Sequence, residues 1–227
     1  MPRKISIVTV HKGPIFELKR TLKSIYPRLN DQVEHIVVAR VAESEISALR
    51  EYCSCSKLVI NKDKSLYDAM NIGLRHSEGQ FINFINSGDK ICAPIPSEEL
   101  AENTCHLYFS TLDIEAVQHV SSSHVVNHQN FLAPNDDVIH FEEKYGVFAD
   151  AHWMNQMITK YGAKRFPRQY AIFHYGGLST RPTLQQARCN IRFDTFFPAR
   201  VKLLVKALFV SVGLERINKY LLRRNYR

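Results

Sequence analysis

Apolar residues recur along the first half of the chain in two alternating rhythms. "KISIVTV" (4–10) is a short apolar, β-branched run of the kind that forms a buried strand. Ile15, Leu18, Leu22 and Ile25 then follow at helical spacing, and Pro27 ends that helix. "VEHIVVA" (33–39) predicts a second strand, Glu45 to Tyr52 a second helix and "KLVI" (57–60) a third strand. A helix over 65–76 and the strand "QFINFI" (80–85) complete the series. Strands alternating with helices, without hairpin-sized loops, predict an α/β fold with a mostly parallel, Rossmann-like sheet and right-handed crossovers. Such sheets bind ligands beyond the carboxyl ends of their strands. Thr9 to Lys12, Ala39 to Arg40, Asn61 to Asp63 and Asn86 to Asp89 therefore belong to one functional edge.

The second half reads less regularly. "HLYFSTL" and "IEAVQHV" predict two more strands between 105 and 120, and "SSSHVVNHQN" (121–130) a polar, mobile loop. A helix from about Ala151 to Tyr161 and a strand over "QYAIFHY" (169–175) lead to Gly176-Gly177. A break near Thr180–Pro182 precedes a helical segment. The expected division is 1–110, 111–180 and a C-terminal helical extension at 181–227.

The helix at 65–76 places Leu66, Ala69, Met70, Gly73 and Leu74 on one face, and Asp68, Asn71 and Arg75 on another. Ser65-Leu-Tyr-Asp68 has the form of a capping box, and Gly79 that of a left-handed helix stop. Asn86-Ser-Gly-Asp89 reads equally as a turn after a strand or as a carboxylate placed to hold Mg²⁺ or Mn²⁺ with substrate phosphates. Asp150 reads equally as a helix N-cap or as a carboxylate facing a cleft.

Charge narrows the functional classes. Of 30 Lys/Arg and 22 Asp/Glu, eight bases and one acid fall in 198–227, so the body is near neutral and the tail basic. That distribution, without aromatics interleaved among the cations, argues against nucleic-acid binding. Leu204, Leu208 and Val212 can share one helical face of the tail, with Lys202 and Lys206 on another, as in an interfacial helix on an anionic membrane. The other reading of the same segment is a helix packed on the body. Five cysteines without a Cys-x-x-Cys pair, no leader-like start and no run of ~18 apolar residues predict a cytoplasmic protein, peripheral on the inner face of the membrane. No Gly-x-Gly-x-x-Gly follows the first strand, which removes the main signal for a dinucleotide oxidoreductase.

"DKSLYDAMNIGLRHSEGQFINFINSGD" (63–89) resembles the central motif of bacterial family-two glycosyltransferases of the GT-A fold. "SIVTV", "NHQNFL", "FADAHWMNQMITKYGAKRFP" and "AIFHYGGLST" resemble further pieces of that family in the same order, across about residues 4–180. The resemblance implies an inverting, hexosyltransferase-like enzyme. It would move a sugar from a nucleotide-diphosphate sugar to a hydroxyl of a glycan or lipid-linked acceptor, in cell-surface polysaccharide assembly. It implies Asp89 as the metal-binding acid, with Mn²⁺ or Mg²⁺ as cofactor, and Asp150 as catalytic base. Thr9, Asp68, Asn71 and Asn86 would contact the donor, and His128, Gln129 and His174 the acceptor or diphosphate. The chain departs from the family pattern in three places: Arg40 replaces an acid after the second strand, Asp89 is the sole acid of the diphosphate motif, and His152 replaces a second Asp. These departures motivate the alternative of a non-catalytic nucleotide-sugar-binding or scaffold protein.

Overall fold

The computed structural model describes residues 5–62, 64–96, 100, 103–121, 126–176 and 197–225. Gly177, the Thr180–Pro182 break and Asp63 lie outside them. β1 (Ile5–His11) and β2 (Val33–Ala39) are buried at every residue, as expected for central strands covered on both faces. β3 (Lys57–Ile60), β2, β1 and β4 (Phe81–Phe84) form the expected parallel sheet in that order. The crossovers are α1 (Ile15–Ile25), α2 (Ile46–Tyr52) and α3 (Leu66–His76). The sheet continues from β4 through β8 (Phe131–Pro134), β6 (Cys105–Ile114) and β9 (Ala163–His174) to the two-residue β5 (Lys90–Ile91), while β7 (Val117–Ser121) pairs on β6.

Helices cover both faces. α1 and α2 send Leu18, Leu22 and Leu49 against Val37 and Ala39. On the other face α3 and α4 (Ala149–Tyr161) pack on Val8, Val10, Ile36 and Val38, with Trp153 stacked on Phe141 at 4.7 Å. Two glycines of the central motif are required by close approach. A Cβ on Gly73 would lie 2.3 Å from a Val8 methyl, and one on Gly79 would lie 2.6 Å from the Ser6 backbone nitrogen. Gly79 is thus not the left-handed stop that its position suggested, since α3 ends in an extended Ser77. Its N–H donates to Ser6 Oγ and Glu34 Oε1. Gly79→Ala is expected to destabilise the fold by about 3 kcal/mol, because the nearest atoms are backbone and cannot move aside. Urea unfolding measures this; an unchanged midpoint would show that β1 and β4 have room to separate.

Three further expectations change. β9 begins at Ala163 rather than near 169; its first half pairs with β6 through irregular register, and Pro167 falls in the shift between Leu107 and Phe109. α4 begins at Ala149 with Phe148 at the N-cap, so Asp150 lies inside the first turn rather than capping it. Residues 128–130 form a buried 3₁₀ turn instead of a mobile loop. Buried asparagines explain that turn. Asn127 Oδ1 accepts from Asn130, Asn130 brackets the Ala171 backbone at 2.9 and 3.0 Å, and Asn83 Nδ2 donates to the Gln129 and Phe131 carbonyls. Polar side chains here satisfy backbone groups that no strand partner reaches.

The tail forms α5 (Phe197–Ser211) and α6 (Glu215–Asn225). Ala207 and Leu204 pack on Val147 and Phe148, and Leu222 on Leu112 and Ile114. Asn218 Nδ2 donates to Tyr175 Oη at 3.2 Å, and Lys219 pairs with Glu115 at 2.6 Å. Leu204 therefore turns toward the body, whereas Leu208 and Val212 are exposed, together with Val201, Val205, Leu214, Ile217 and Tyr220. Among the described residues no helix is long and apolar enough to cross a membrane.

Candidate active site

Beyond the carboxyl ends of β1 and β4, where a parallel sheet exposes its loops, a cleft is lined by Glu17, Tyr67, Asn86 to Asp89, His128, Gln129, Val147, Asp150 and Phe173 to Gly176. A second cavity at the opposite edge contains Glu34 and His35, whose polar atoms are engaged within the fold: Glu34 by Ser6, Glu78 and Gly79, His35 by Thr9 and Ser56. The first cleft is the one with unspent chemistry.

The turn after β4 carries its chemistry because α1 pins it. Thr21 Oγ1 donates to the Asp89 carbonyl at 2.7 Å and accepts from Gly88 N–H at 2.9 Å. Gly88 has φ +101°, a conformation that suits glycine. Asp89 is buried, with Oδ2 accepting from Gln129 Nε2 at 2.7 Å and Oδ1 from the His174 backbone N–H at 2.9 Å. Burial pushes its carboxyl up to about 6; the two donors and the nearby His128 counter this only in part, and the Glu17 carboxylate adds to it. His174 lies 3.3 Å through Nδ1 from Asp113 Oδ2, a second acid behind the cleft wall.

In the same cleft, Asp150 Oδ1 accepts from Ala151 N–H at 2.8 Å and Oδ2 lies 3.0 Å from His128 Nδ1. His128 Nε2 is 3.0 Å from Asn86 Nδ2. Asn86 Oδ1 is buried without a hydrogen-bond partner.

Six of the nine residues expected at the site thus meet in the cleft: Asn86, Asp89, His128, Gln129, Asp150 and His174. Three do not line it. Thr9 is buried and donates to the Ile85 carbonyl at 2.8 Å. Asp68 Oδ2 accepts from Lys64 N–H; Ser65 Oγ accepts from Asp68 N–H, so one half of the capping box forms. Asn71 brackets the Phe141 backbone at 2.9 and 2.8 Å. Instead, Tyr67 and Leu66 represent α3 in the cleft. His152 turns away to Glu142 and stacks on Tyr145. Sequence reasoning missed Glu17, Thr21 and Asp113. An acid in the first turn of the helix after β1 was the available signal for Glu17.

Among the described residues no group of three or more His, Cys, Asp and Glu side chains forms a ready-made metal cluster. The oxygen set nevertheless fits a hard divalent cation, because Asp89 shares the cleft with the unpartnered Asn86 Oδ1 and such ions take their remaining ligands from phosphates and water.

No family model matches the chain. It is 29% identical over 93 residues to an uncharacterized glycosyltransferase of Mycobacterium tuberculosis, found in two strains; the match covers 40% of this chain and 36% of the relative. The chain thus spans about a third of the length of these curated relatives. Among solved structures, Staphylococcus aureus TarS 1–349 in complex with UDP aligns over 96% of this chain and 75% of its own, with TM-score 0.60 and 14% identity. The mannosyltransferase PcManGT from Pyrobaculum calidifontis, in complex with GDP-Man and Mn²⁺, aligns over 92% and 72%, with TM-score 0.60 and 13% identity. The sequence similarity is to glycosyltransferases, and the fold is the mixed α/β fold of those glycosyltransferase structures.

Proposed function

We propose that this chain transfers a sugar from a nucleoside-diphosphate sugar to an acceptor hydroxyl, with inversion, as a GT-A enzyme of the family-two type. The observation that carries this reading is the meeting of Asp89 and Asp150 in the lining of one cleft. Asp89 and Asn86 Oδ1 would hold Mn²⁺ or Mg²⁺, which when bound neutralises charge developing on the leaving diphosphate. Asp150 takes the proton of the acceptor hydroxyl as that oxygen bonds to the anomeric carbon, and the electron pair of the breaking C–O bond leaves with the nucleoside diphosphate. Attack opposite the leaving group inverts the centre. A non-catalytic nucleotide-sugar binder is the second reading, supported by Asp89 standing without a second acid in its turn and by the donors already on both its oxygens.

TarS has also been solved with UDP-GlcNAc. UDP-GlcNAc and GDP-mannose, each with Mn²⁺, are accordingly the first donors to assay for nucleoside diphosphate release. Release from either supports the enzyme; binding without release supports the second reading.

We place the acceptor at the cytoplasmic face of the membrane, as a lipid-linked glycan in surface-polysaccharide assembly. The support is the tail. Val201, Val205 and Leu208 on α5, Leu214 between the helices, and Ile217 and Tyr220 on α6 are exposed, as are Arg216 and Arg224, while the opposite faces pack on the body. Leu208→Glu with Tyr220→Glu is expected to abolish co-flotation with phosphatidylglycerol vesicles while leaving Tm within a few degrees, since both side chains are exposed. Unchanged flotation would remove the tail as the docking surface.

A further inference from the structure

His128 lies in the cleft between Asp150 and Asn86, and its ring nitrogens face different partners. Nδ1 is 3.0 Å from the Asp150 carboxylate, which can only accept a hydrogen bond when ionised. Nε2 is 3.0 Å from Asn86 Nδ2, which can only donate. A neutral imidazole satisfies both neighbours in one way only, with its proton on Nδ1 and its lone pair on Nε2. The other neutral tautomer would set a lone pair against the carboxylate and two N–H groups against each other. His128 is buried at 8% exposure, so water does not readily replace either partner.

We propose that His128 is a positioning residue: as the Nδ1–H tautomer it holds Asp150 Oδ2 in its orientation toward the acceptor, and Asn86 fixes that tautomer through Nε2. This rests on Asp150 being the base. The remaining contacts of Asp150 are too few to do the same work. Its Oδ1 accepts from Ala151 N–H, a bond within its own helix turn that leaves the carboxylate free to swing. Among the described residues, His128 is the side chain from another element that hydrogen-bonds the Asp150 carboxylate. The Asn86 orientation that supports Nε2 also leaves Asn86 Oδ1 buried and unpartnered, on a residue that lines the cleft. A cation or donor hydroxyl bound at that oxygen would hold the amide in the same orientation. Donor occupancy and base geometry are thereby linked through two side chains, across 42 residues of sequence from Asn86 to His128.

Two measurements on the full chain test this. The first needs no substrate. With ¹⁵N-labelled histidine, long-range ¹H–¹⁵N correlation at about pH 8.5, above the ordinary imidazole range, reads each tautomer, and the His128 signal is the one missing in His128→Gln. The Nδ1–H form is expected; an Nε2–H form overturns the proposal. The second is turnover, read as nucleoside diphosphate release from UDP-GlcNAc or GDP-mannose with Mn²⁺ and water as acceptor. His128→Ala is expected to lower kcat about 30-fold, with KM for the donor changed less than about threefold. His128→Asn, whose amide reaches the Nδ1 position, is expected to recover about tenfold. His128→Gln, which reaches the Nε2 position, is expected to recover less. Equal behaviour of Asn and Gln would indicate simple space filling and overturn the proposal. Asp150→Asn separates the two layers: if it retains turnover, the base assignment fails; if it abolishes turnover while His128→Ala matches wild type, the positioning role alone fails.

Discussion

Asp150→Asn is expected to lower sugar transfer by about a hundred- to ten-thousand-fold while leaving donor affinity within about threefold of wild type. The substitution keeps the volume and the helical turn. Asn Oδ1 can still accept from Ala151 N–H at the 2.8 Å position occupied by the carboxylate. What it removes is the carboxylate that the proposed mechanism uses as its base. Asp89 keeps its own donors, Gln129 and the His174 N–H, neither of which touches Asp150; the change reaches Asn86 only through His128. Steady-state transfer and calorimetric donor binding on the same preparation check both halves of this statement. Loss of binding together with transfer would mean that Asp150 holds the donor. Retained transfer would place the base elsewhere, with His174, backed by Asp113, the next candidate on the cleft wall.

Asp89→Asn should act in opposite directions on binding and on stability. Burial raises Asp89 from 3.8 to about 6 in the folded protein. A carboxyl raised on folding stabilises the fold fully below its unfolded value, and that contribution is lost as pH rises through the folded value. Above about pH 6 the ionised group therefore costs the unliganded protein about 3 kcal/mol, two pK units at about 1.4 kcal/mol each. An Asn carries no such charge. Its oxygen can accept from His174 N–H, and its amide can face a flipped Gln129 side chain. The unliganded variant is thus expected to melt several degrees above wild type at about pH 7.5, with the gap closing by about pH 4. Binding of nucleoside diphosphate with Mn²⁺ should fall by at least about thirtyfold, since the anionic ligand for the cation is gone. Melting curves from about pH 4 to 8 test the first half. A pH-independent difference between the two proteins would show that Asp89 is not held against its ionisation. Such a trade of stability for function is expected where a charge is buried ahead of its ligand.

The N-terminal half was legible because its strands are short runs rich in β-branched and other apolar residues and its helices keep one apolar stripe. Both signals survive in a single sequence without knowledge of partners. The Asn86–Asp89 turn was legible for the same reason, since a parallel sheet dictates where its loops point. Thr21 was not. It acts on Asp89 from 68 residues away, and a threonine in the middle of an amphipathic helix carries no local mark of that contact. Asp113 lies within a strand that is buried throughout except at Phe109, so its meeting with His174 depends on the parallel pairing of β6 and β9 across an irregular register. The turn at 128–130 misled because polarity usually marks solvent exposure, whereas here asparagine amides replace missing strand partners. Thr9, Asp68 and Asn71 show the limit of motif transfer. Each belongs to the resemblance, yet each side chain is committed to the fold: Thr9 to Ile85, Asp68 to Lys64, Asn71 to Phe141. The tail packs on the body through one set of its apolar positions. Its apolar positions divide between a face that packs on the cleft wall and a face that remains open.

The central claim is that the cleft at Asp89 receives a nucleoside diphosphate with a divalent cation. Isothermal titration of the full chain with UDP and with GDP, each with and without Mn²⁺, tests it most directly. Saturable binding of one of them that requires Mn²⁺ in wild type, and is lost in Asp89→Asn, is the predicted result. Absence of binding by either nucleotide, or binding that Asp89→Asn leaves unchanged, would contradict it.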